Sequence, residues 1–594
     1  MLAPLFAALL CAAPTPAEAP PIAPALASVQ DPDARPLKAL DAWMKLYRKG
    51  KVDYRSPEPL GKKSVALKYK VRAKNDLGNP TWAGDLKLIL KVLAERNDAE
   101  AARAMADVAA VGLDRKGKYT YAMAPYSVRE AALEAFEGMR SQAAKDTLAA
   151  GARGEWKVRK NASSLRAASL LALGHIGDPA YAEVLTGALK DPDVVTRLHA
   201  VQALAHIGDT ASQRALIGVL EEAADDAVLV TAAKALRAIY ADHVQKEQDK
   251  RDRQKARGDE PAGGDEKPLP PPPTARGAVR AAISALGRTT WRADMVLVRL
   301  LDDFRSVEAV PALITVLERF RDHPEEVESG KLSGLLQYRV HELLVGMTGA
   351  VFPADDPARW RELWEQEQDK LAEVVAKADQ KPKKPGSGTS AQGFVGIPVE
   401  GTRVVFILDL SGSMEWPMDD GGRNTRRLDY AKRELLKAIE GLAPNSMFNL
   451  VTFNGDDEAE TWSKDLVVAN KRNKQRFTKF VDKLRPLGGT NLWSGMEAAL
   501  GIKTLVYGSH YETLVDEIFL LSDGAPSVGD VIDPVEILRL TSEVNRFKEV
   551  RINTVFISSR TPPQVMAAQA DMSLSPKELM RRMARENGGK FRDV

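Results

Sequence analysis

Five oxygen-bearing side chains in the last third of the sequence have the types and positions needed to bind a metal ion. Asp409, Ser411 and Ser413 form a D-x-S-x-S sequence, Thr490 lies in Gly-Gly-Thr-Asn, and Asp523 lies in Leu-Leu-Ser-Asp-Gly. Two carboxylates and three hydroxyls make an all-oxygen donor set, which a small hard cation such as Mg²⁺ prefers. Because no strong anionic ligand fills the remaining coordination position, such a cation could also bind a carboxylate from another protein.

The segments around these residues have the pattern of a sheet with alternating strands and helices. Residues 404–408 form a continuous apolar run, which is typical of a buried parallel strand. Further strands are predicted at 447–453, 518–521 and 552–557, and helices at 428–439, 477–484 and 491–500. This alternation predicts a doubly wound α/β fold, in which loops at the carboxyl ends of the strands form the ligand crevice. We therefore expect the five side chains to converge there.

Together the three motifs resemble the metal-ion-dependent adhesion site of von Willebrand factor type A domains. The resemblance covers residues 393–594, about a third of the chain. It implies a Rossmann-like, non-catalytic binding domain that holds Mg²⁺, or alternatively Mn²⁺ or Ca²⁺, and whose partner is a protein with an exposed Asp or Glu. The implied metal ligands are Asp409, Ser411, Ser413, Thr490 and Asp523. The alternative is a metal site that only stiffens the loops.

Two tryptophans lie close to these motifs in sequence. The segment from Glu415 to Arg427 contains Trp416 and is longer than a minimal connection, so we expect a loop that frames or partly screens the site. A solvated loop with a buried tryptophan is the alternative. Trp493, which follows Thr490, is expected to lie in the core rather than to contact a ligand.

The preceding half of the chain is predicted to be helical and partly repetitive. The segment from Arg166 to Asp178 returns at Arg197 to Asp209, an offset of 31 residues. Such a period indicates a helical solenoid, and the units resemble HEAT-like or PBS-lyase-like repeats. Gly177 and Gly208 are expected to end helices in the left-handed conformation. His175 and His206 occupy equivalent repeat positions, where a helix cap or a packed residue is a better interpretation than a metal ligand.

The predicted domain organisation combines an α-helical HEAT-like solenoid with the α/β domain. The proposed segments are a signal peptide at 1–27, an irregular segment or cap at 28–81, repeats at 82–243, a charged and proline-rich linker at 244–275, further helical repeats and a cap at 276–376, a linker at 377–392, and the type A domain at 393–594.

Composition and the N-terminus bear on location and partners. The chain has 84 Lys and Arg against 81 Asp and Glu, a net charge of +3. Its overall charge therefore does not indicate binding to nucleic acid. An apolar stretch followed by small residues predicts a signal peptide cleaved after Ala27, and therefore export to the periplasm, the cell envelope or the medium. Cys11 is the sole cysteine and lies inside that peptide. No other apolar run is long enough for a membrane helix.

Motifs for catalysis are incomplete in this sequence. His341-Glu-Leu-Leu-Val345 begins like a zinc-protease helix, but Val345 stands where the second histidine is needed. Neither a phosphate-binding G-x-x-x-x-G-K-[ST] loop nor a G-x-S-x-G nucleophile elbow occurs. We therefore expect a non-enzymatic, exported scaffold that binds a protein partner. The alternatives are an RNA-binding protein similar to the Ro ribonucleoprotein family, which also joins HEAT-like helices to a type A domain, and an assembly factor for an enzyme complex.

Overall fold

The computed structural model describes most of the chain outside its N-terminal segment. The described residues are 36–49, 51, 65–69, 71, 82–111, 125–158, 162–257, 269–377, 393–455, 458–501, 513–523, 525–557, 572 and 574–594. The predicted signal peptide, Cys11 and almost all of the predicted linker at 377–392 lie outside them. The chain divides into two compact units, with the boundary after Ala281.

The described part of the first unit is helical. Its helices are α1 Pro36–Arg48, α2 Val65–Lys68, α3 Trp82–Arg96, α4 Ala99–Ala109, α5 Pro125–Phe136, α6 Gln142–Arg153, α7 Ala162–Ile176, α8 Ala182–Ala188, α9 Val194–Ile207, α10 Thr210–Glu222 and α11 Asp226–Arg257, and α12 Ala275–Ala285 spans the boundary. Gly177 and Gly208 have φ values of 69° and 63°, which confirms the predicted left-handed helix ends.

Equivalent helices of successive repeats pack closely. A Cβ atom added to Gly174 in α7 would lie 2.6 Å from the Ala203 Cα of α9, so only glycine permits this approach. The rings of His175 and His206 lie 4.1 Å apart between centroids. Burial lowers the pKa of His175 to about 4 and that of His206 to about 3, so both are neutral at pH 7. The two histidines are therefore packed inside the array.

Two segments of the first unit add detail to the predicted organisation. Helix α1 lies in the segment predicted to be irregular or a cap, and it buries Trp43 and Tyr47 on one face. Helix α11 continues to Arg257, through the first part of the predicted linker at 244–275. Side-chain pairs four residues apart support this extension, including Lys246 Nζ with Asp242 Oδ2 at 2.6 Å. The charged residues of the predicted linker up to Arg257 therefore belong to a solvated helix.

The second unit contains a helical block followed by an α/β domain. The block consists of α13 Trp291–Asp303, α14 Val310–Asp322, α15 Pro324–Ser329, α16 Gly334–Thr348 and α17 Pro357–Lys377. The α/β domain consists of β1 Arg403–Asp409, β2 Pro417–Asp420, β3 Arg423–Arg426, α18 Arg427–Glu440, β4 Met447–Phe453, β5 Glu460–Thr461, β6 Val467–Val468, α19 Lys471–Val481, α20 Leu492–Leu500, β7 Glu517–Ser522, α21 Pro534–Lys548, β8 Arg551–Phe556, α22 Pro576–Glu586 and β9 Phe591–Asp593.

The main sheet has the order β5-β4-β1-β7-β8-β9, with β6 also paired to β4. Strands β4, β1, β7, β8 and β9 are parallel, whereas β5 and β6 run antiparallel to β4. Every residue of β1 is buried, as expected for a central strand covered on both faces. The apolar residues of α18, among them Leu428, Leu435 and Ile439, pack into the same core. The fold is thus the predicted Rossmann-like α/β architecture.

The amino ends of the central strands contact the helical block of the same unit. The Ser333 hydroxyl, at the start of α16, donates to Asp516 Oδ2 at 2.7 Å. The Arg403 guanidinium donates to the carbonyls of Val327, at 2.9 Å, and Glu328. Arg299 of α13 forms an ion pair with Glu549. These contacts cover the sheet edge opposite to the carboxyl ends of β1 and β7.

None of the described helices has a stretch long and apolar enough to cross a membrane.

Candidate metal-binding site

The D-x-S-x-S residues leave β1 at its carboxyl end. Asp409 is the last residue of the strand, and its Oδ1 accepts a hydrogen bond from the Ser411 backbone N–H at 2.7 Å. This local bond turns the chain, so that the hydroxyls of Ser411 and Ser413 lie 3.0 Å apart. A 3₁₀ turn over Gly412–Glu415 follows. The loop therefore gathers three of the five predicted donors.

The loop that contains Thr490 is hydrogen-bonded to the D-x-S-x-S loop through the backbone. The Gly412 N–H donates to the Gly488 carbonyl at 2.9 Å, two residues before Thr490. On its other side the Thr490 N–H donates to Ser527 Oγ at 2.9 Å. Gly489 is required here, because an added Cβ would lie 2.8 Å from the Val528 side chain. The buried Thr490 thus lies between the loop after β1 and the loop after β7.

Two buried carboxylates follow neighbouring strands. Asp409 is fully buried and accepts from Ser522 Oγ at 2.5 Å, and Asp523, next in the chain after Ser522, is 7% exposed. Burial raises the pKa of Asp409 to about 7, and the nearby Asp523 carboxylate contributes to the increase. Burial also raises the pKa of Asp523, while the Ser413 hydroxyl and a guanidinium oppose it. Asp523 Oδ1 is buried and has no hydrogen-bond partner among the described residues.

That guanidinium belongs to Arg427, which is not one of the five predicted site residues. Arg427 is the first residue of α18, is fully buried, and donates from Nη1 to Asp523 Oδ2 at 3.1 Å. Its guanidinium carbon also lies 5.1 Å from the Trp416 ring centroid. Burial lowers the pKa of Arg427, and the two carboxylates oppose that decrease. One fixed positive charge therefore faces two acidic side chains.

A small hairpin positions Arg427, where a loop was expected. Strands β2 and β3 pair antiparallel around Gly421 and Gly422, whose φ values are 60° and 87°. Two successive left-handed residues are typical of the tight turns that join such strands. After the hairpin the Arg427 N–H donates to the Trp416 carbonyl at 3.0 Å, which starts α18 next to the site. Trp416 is half-buried, and Trp493 is a core residue as predicted.

The chemistry of this cluster suits a hard cation. All five predicted donors are oxygens, and two of them are carboxylates whose charge Arg427 balances only in part. Within the described ranges, no three Asp, Glu, His or Cys side chains are grouped in a way that could hold a metal ion. A cation here would therefore depend on hydroxyl and water ligands in addition to the carboxylates, as Mg²⁺ commonly does in proteins.

Comparisons with known proteins agree with this architecture. A family model for the von Willebrand factor type A domain matches residues 402–574, and one for HEAT repeats matches residues 158–237. Inter alpha-trypsin inhibitor, heavy chain 4 of Mus musculus is 30% identical over 138 residues, which is 23% of this chain and 13% of the relative. The Bos taurus heavy chain H4 is 29% identical over 196 residues, 32% of this chain and 18% of that protein. The chain thus spans less than a fifth of these relatives.

Solved structures with similarity to the chain include type A domains. A von Willebrand factor type A protein from Catenulispora acidiphila is 20% identical, with a TM-score of 0.23, and the match covers 32% of this chain and 38% of that one. Proximal thread matrix protein 1 from the mussel byssus, with a zinc-occupied MIDAS motif, is 16% identical with a TM-score of 0.22, covering 38% and 47%. The two family models and the observed fold thus agree on a von Willebrand factor type A domain at residues 402–574 and on HEAT repeats at residues 158–237 before it.

Proposed function

We propose that the type A domain binds a divalent cation, Mg²⁺ in the first place, and uses it to bind an acidic side chain of a protein partner. The observation that supports this most directly is the buried Asp523 Oδ1, which has no hydrogen-bond partner among the described residues and lies in a site with a second buried carboxylate. A buried acceptor of this kind is costly unless a ligand satisfies it.

In this proposal each residue has a distinct role. Ser411, Ser413 and Thr490 contribute neutral hydroxyls, and Asp409 and Asp523 contribute carboxylates directly or through water. A bound cation would supply a positive centre with an unfilled coordination position. Arg427 holds Asp523 by an ion pair and lowers the net negative charge that faces the cation. The domain then acts as a binding module and not as a catalyst.

Metal titration of the purified chain tests the site. We expect calorimetry to detect one site for Mg²⁺ or Mn²⁺, with Asp409→Ala and Thr490→Ala each removing detectable binding while the circular dichroism spectrum is retained. Asp465→Ala is the matched control, because Asp465 is an exposed aspartate of the same domain. If the wild-type chain binds neither cation, or if Asp465→Ala is as defective as Asp409→Ala, the proposal is wrong.

In this proposal the helical repeats act as a scaffold, since arrays of helix pairs provide extended binding surfaces. Affinity capture on the immobilised full chain with Mg²⁺, followed by elution with EDTA, is expected to release partners that the Asp409→Ala chain does not retain. Partners that stay bound after chelation would be assigned to surfaces other than the cation site.

We also propose that the protein is exported. The support is the apolar and small-residue composition of residues 1–27. Expression of the full chain with a C-terminal tag, followed by mass spectrometry of its mature N-terminus, is expected to find Ser28 as the first residue. An intact Met1 on cytoplasmic protein would contradict export.

A further inference from the structure

Helix α19 and the turn that follows it carry a row of exposed cations. Arg472, Arg476, Lys479 and Lys483 are here named the basic stripe. The first three are spaced by four and three residues, which places them on one face of the helix, and Lys483 follows in the turn after it. None of them forms an ion pair with a carboxylate in the part of the chain that the structure describes. Arg476 contacts Asn473 and the Trp462 ring, neither of which is charged. The basic stripe is thus a concentrated positive surface on a chain whose net charge is only +3.

Helix stability accounts for Lys479, a cation in the last turn of α19, but not for the rest of this arrangement. Like charges three or four residues apart on a helix repel each other and destabilise it. The first turn of α19 contains Lys471 and Arg472 but no acidic residue, although the positive end of the helix dipole favours acids there. A sequence selected for helix stability alone would mix the signs of charge. The basic stripe therefore indicates a role in binding.

Contacts with α18 place one end of the basic stripe next to the metal site. Lys474 Nζ donates to the Glu440 carbonyl at the end of α18, whereas Lys432 Nζ, near the start of α18, donates to the Leu484 carbonyl. The two helices are therefore antiparallel, and α19 ends beside the beginning of α18. From there the chain reaches the site loop, where the Leu487 N–H donates to the Leu410 carbonyl at 2.7 Å.

The end of the basic stripe is close enough for one partner to reach both surfaces. Lys483 is five residues before Gly488, whose carbonyl bonds the D-x-S-x-S loop, so the two positions are at most about 18 Å apart. Between them Leu487 is 71% exposed, an unusual exposure for a leucine, and it offers an apolar contact. From Arg472 to Lys479 the stripe extends over about 10 Å of helix, which about three residues of an extended chain would match.

We infer that the partner of the type A domain is a protein with an extended acidic segment, in which one carboxylate reaches the metal site and several others pair with the basic stripe. This inference depends on the proposed cation-dependent function. Charge complementarity identifies the occupant as anionic. A protein is favoured over nucleic acid, because the proposed cation site would take a carboxylate and the chain as a whole is nearly neutral.

A fluorescent decaglutamate peptide tests the inference by anisotropy on the full chain with Mg²⁺ at low salt. We expect Arg472→Glu/Lys479→Glu to weaken binding about tenfold, and to remove most of its salt dependence. Lys87→Glu/Lys91→Glu is the matched control, since it makes the same charge change at exposed positions four residues apart on α3. The control is expected to bind as the wild-type chain does. Equal losses in the two double variants would overturn the inference.

Two further arms separate the possible sources of failure. An Asp409→Ala chain should lose the Mg²⁺-dependent part of peptide binding and keep the salt-dependent part. If chelation and Asp409→Ala change nothing while the stripe variant still fails to bind, the proposed metal function is wrong and the basic stripe remains a binding surface. A single-stranded oligonucleotide of equal charge and phosphatidylserine vesicles complete the comparison. Tighter binding to either one than to decaglutamate would overturn the assignment of an acidic protein segment.

Discussion

The two ends of the central strands each bury a pair of carboxylates, yet the two pairs are satisfied to different degrees. At the amino end Asp516 accepts four hydrogen bonds, from the Ser333 hydroxyl, the Thr402 N–H and hydroxyl, and the Arg403 N–H. Glu517 beside it accepts three more. At the carboxyl end, Asp523 has a buried oxygen with no hydrogen-bond partner among the described residues.

This difference separates a structural role from a binding role. A buried carboxylate with a full set of donors fixes the backbone around it, because each donor would otherwise lose its partner. A buried carboxylate with an incomplete set retains capacity for an added cation. Burial alone therefore does not distinguish the acids of the proposed cation site, whereas the Asp523 Oδ1 without a partner among the described residues does.

The largest effect is expected at the saturated end. Asp516→Ala should lower the free energy of unfolding by about 3 to 5 kcal/mol, because it leaves four buried or partly buried donor groups without their acceptor. Urea unfolding of the full chain measures this. Asp516→Asn, which keeps one carbonyl oxygen, should lose less. A loss below about 1 kcal/mol would mean that water replaces these hydrogen bonds. The two ends of the central strands would then not differ in what their carboxylates contribute to stability.

The opposite result is expected at the carboxyl end. Burial raises the pKa of Asp409, so its charge costs free energy in the metal-free chain, and Asp409→Asn should leave stability unchanged or raise it by about 1 kcal/mol. Mg²⁺ at a hundred times its dissociation constant should stabilise the wild-type chain by about 2.7 kcal/mol and the variant not at all. Thermal unfolding with and without Mg²⁺ gives both values. A strongly destabilised metal-free Asp409→Asn chain would contradict the comparison.

Arg427 acts as a cation that is already present at the carboxyl end of the strands. Its guanidinium lies 3.1 Å from Asp523, so it competes electrostatically with a bound metal. Arg427→Met should tighten Mg²⁺ binding about tenfold while lowering the stability of the metal-free chain. Calorimetric titration of both chains measures the change. Weaker binding would show instead that the ion pair is needed to orient Asp523.

A smaller effect is expected from pH. In the metal-free chain burial raises the pKa of Asp409 to about 7, so Asp409 holds a proton below that pH and a metal must displace it. The affinity for Mg²⁺ should therefore fall by about eightfold from pH 7.5 to pH 6, and change little above pH 8. Metal titrations across this range test the prediction. A flat profile would indicate that Asp409 is ionised throughout.

The sequence was most informative where local pattern determines the structure. Strands β1, β4, β7 and β8 lie within about one residue of the predicted ranges, because buried parallel strands are continuous apolar runs. The alternation of strands and helices also predicts where the five candidate donors lie, in the loops that form the ligand crevice. Fold class could therefore be predicted, and so could the edge of the sheet on which the candidate residues lie.

Features that depend on distant contacts were missed. Arg427 is one of many arginines in the sequence, and its burial depends on Asp523, which lies 96 residues further along the chain. The hairpin around Gly421 and Gly422 gave a turn signal, but its strands are short and polar. Asp516 is an acidic residue at a strand boundary, a common position, and only the fold brings Ser333 to it. By contrast, the four-residue spacing of Trp43 and Tyr47 is typical of one helix face and indicates α1, but the mixed composition of the surrounding segment does not indicate a helix.

Gly174 has a consequence for how the repeats can be rearranged. The equivalent position, 31 residues later, is Ala205. Gly174 has no Cβ, so α7 can pack its Cα against Ala203 of α9. Ala205 has a Cβ, so α9 cannot pack against α11 in the same way. The separations of α7 from α9 and of α9 from α11 are therefore set by different side chains. Grafting one unit into the place of its neighbour would change the local spacing even though the two sequences align, and protein engineers who treat these units as interchangeable modules should expect a misfit at that junction.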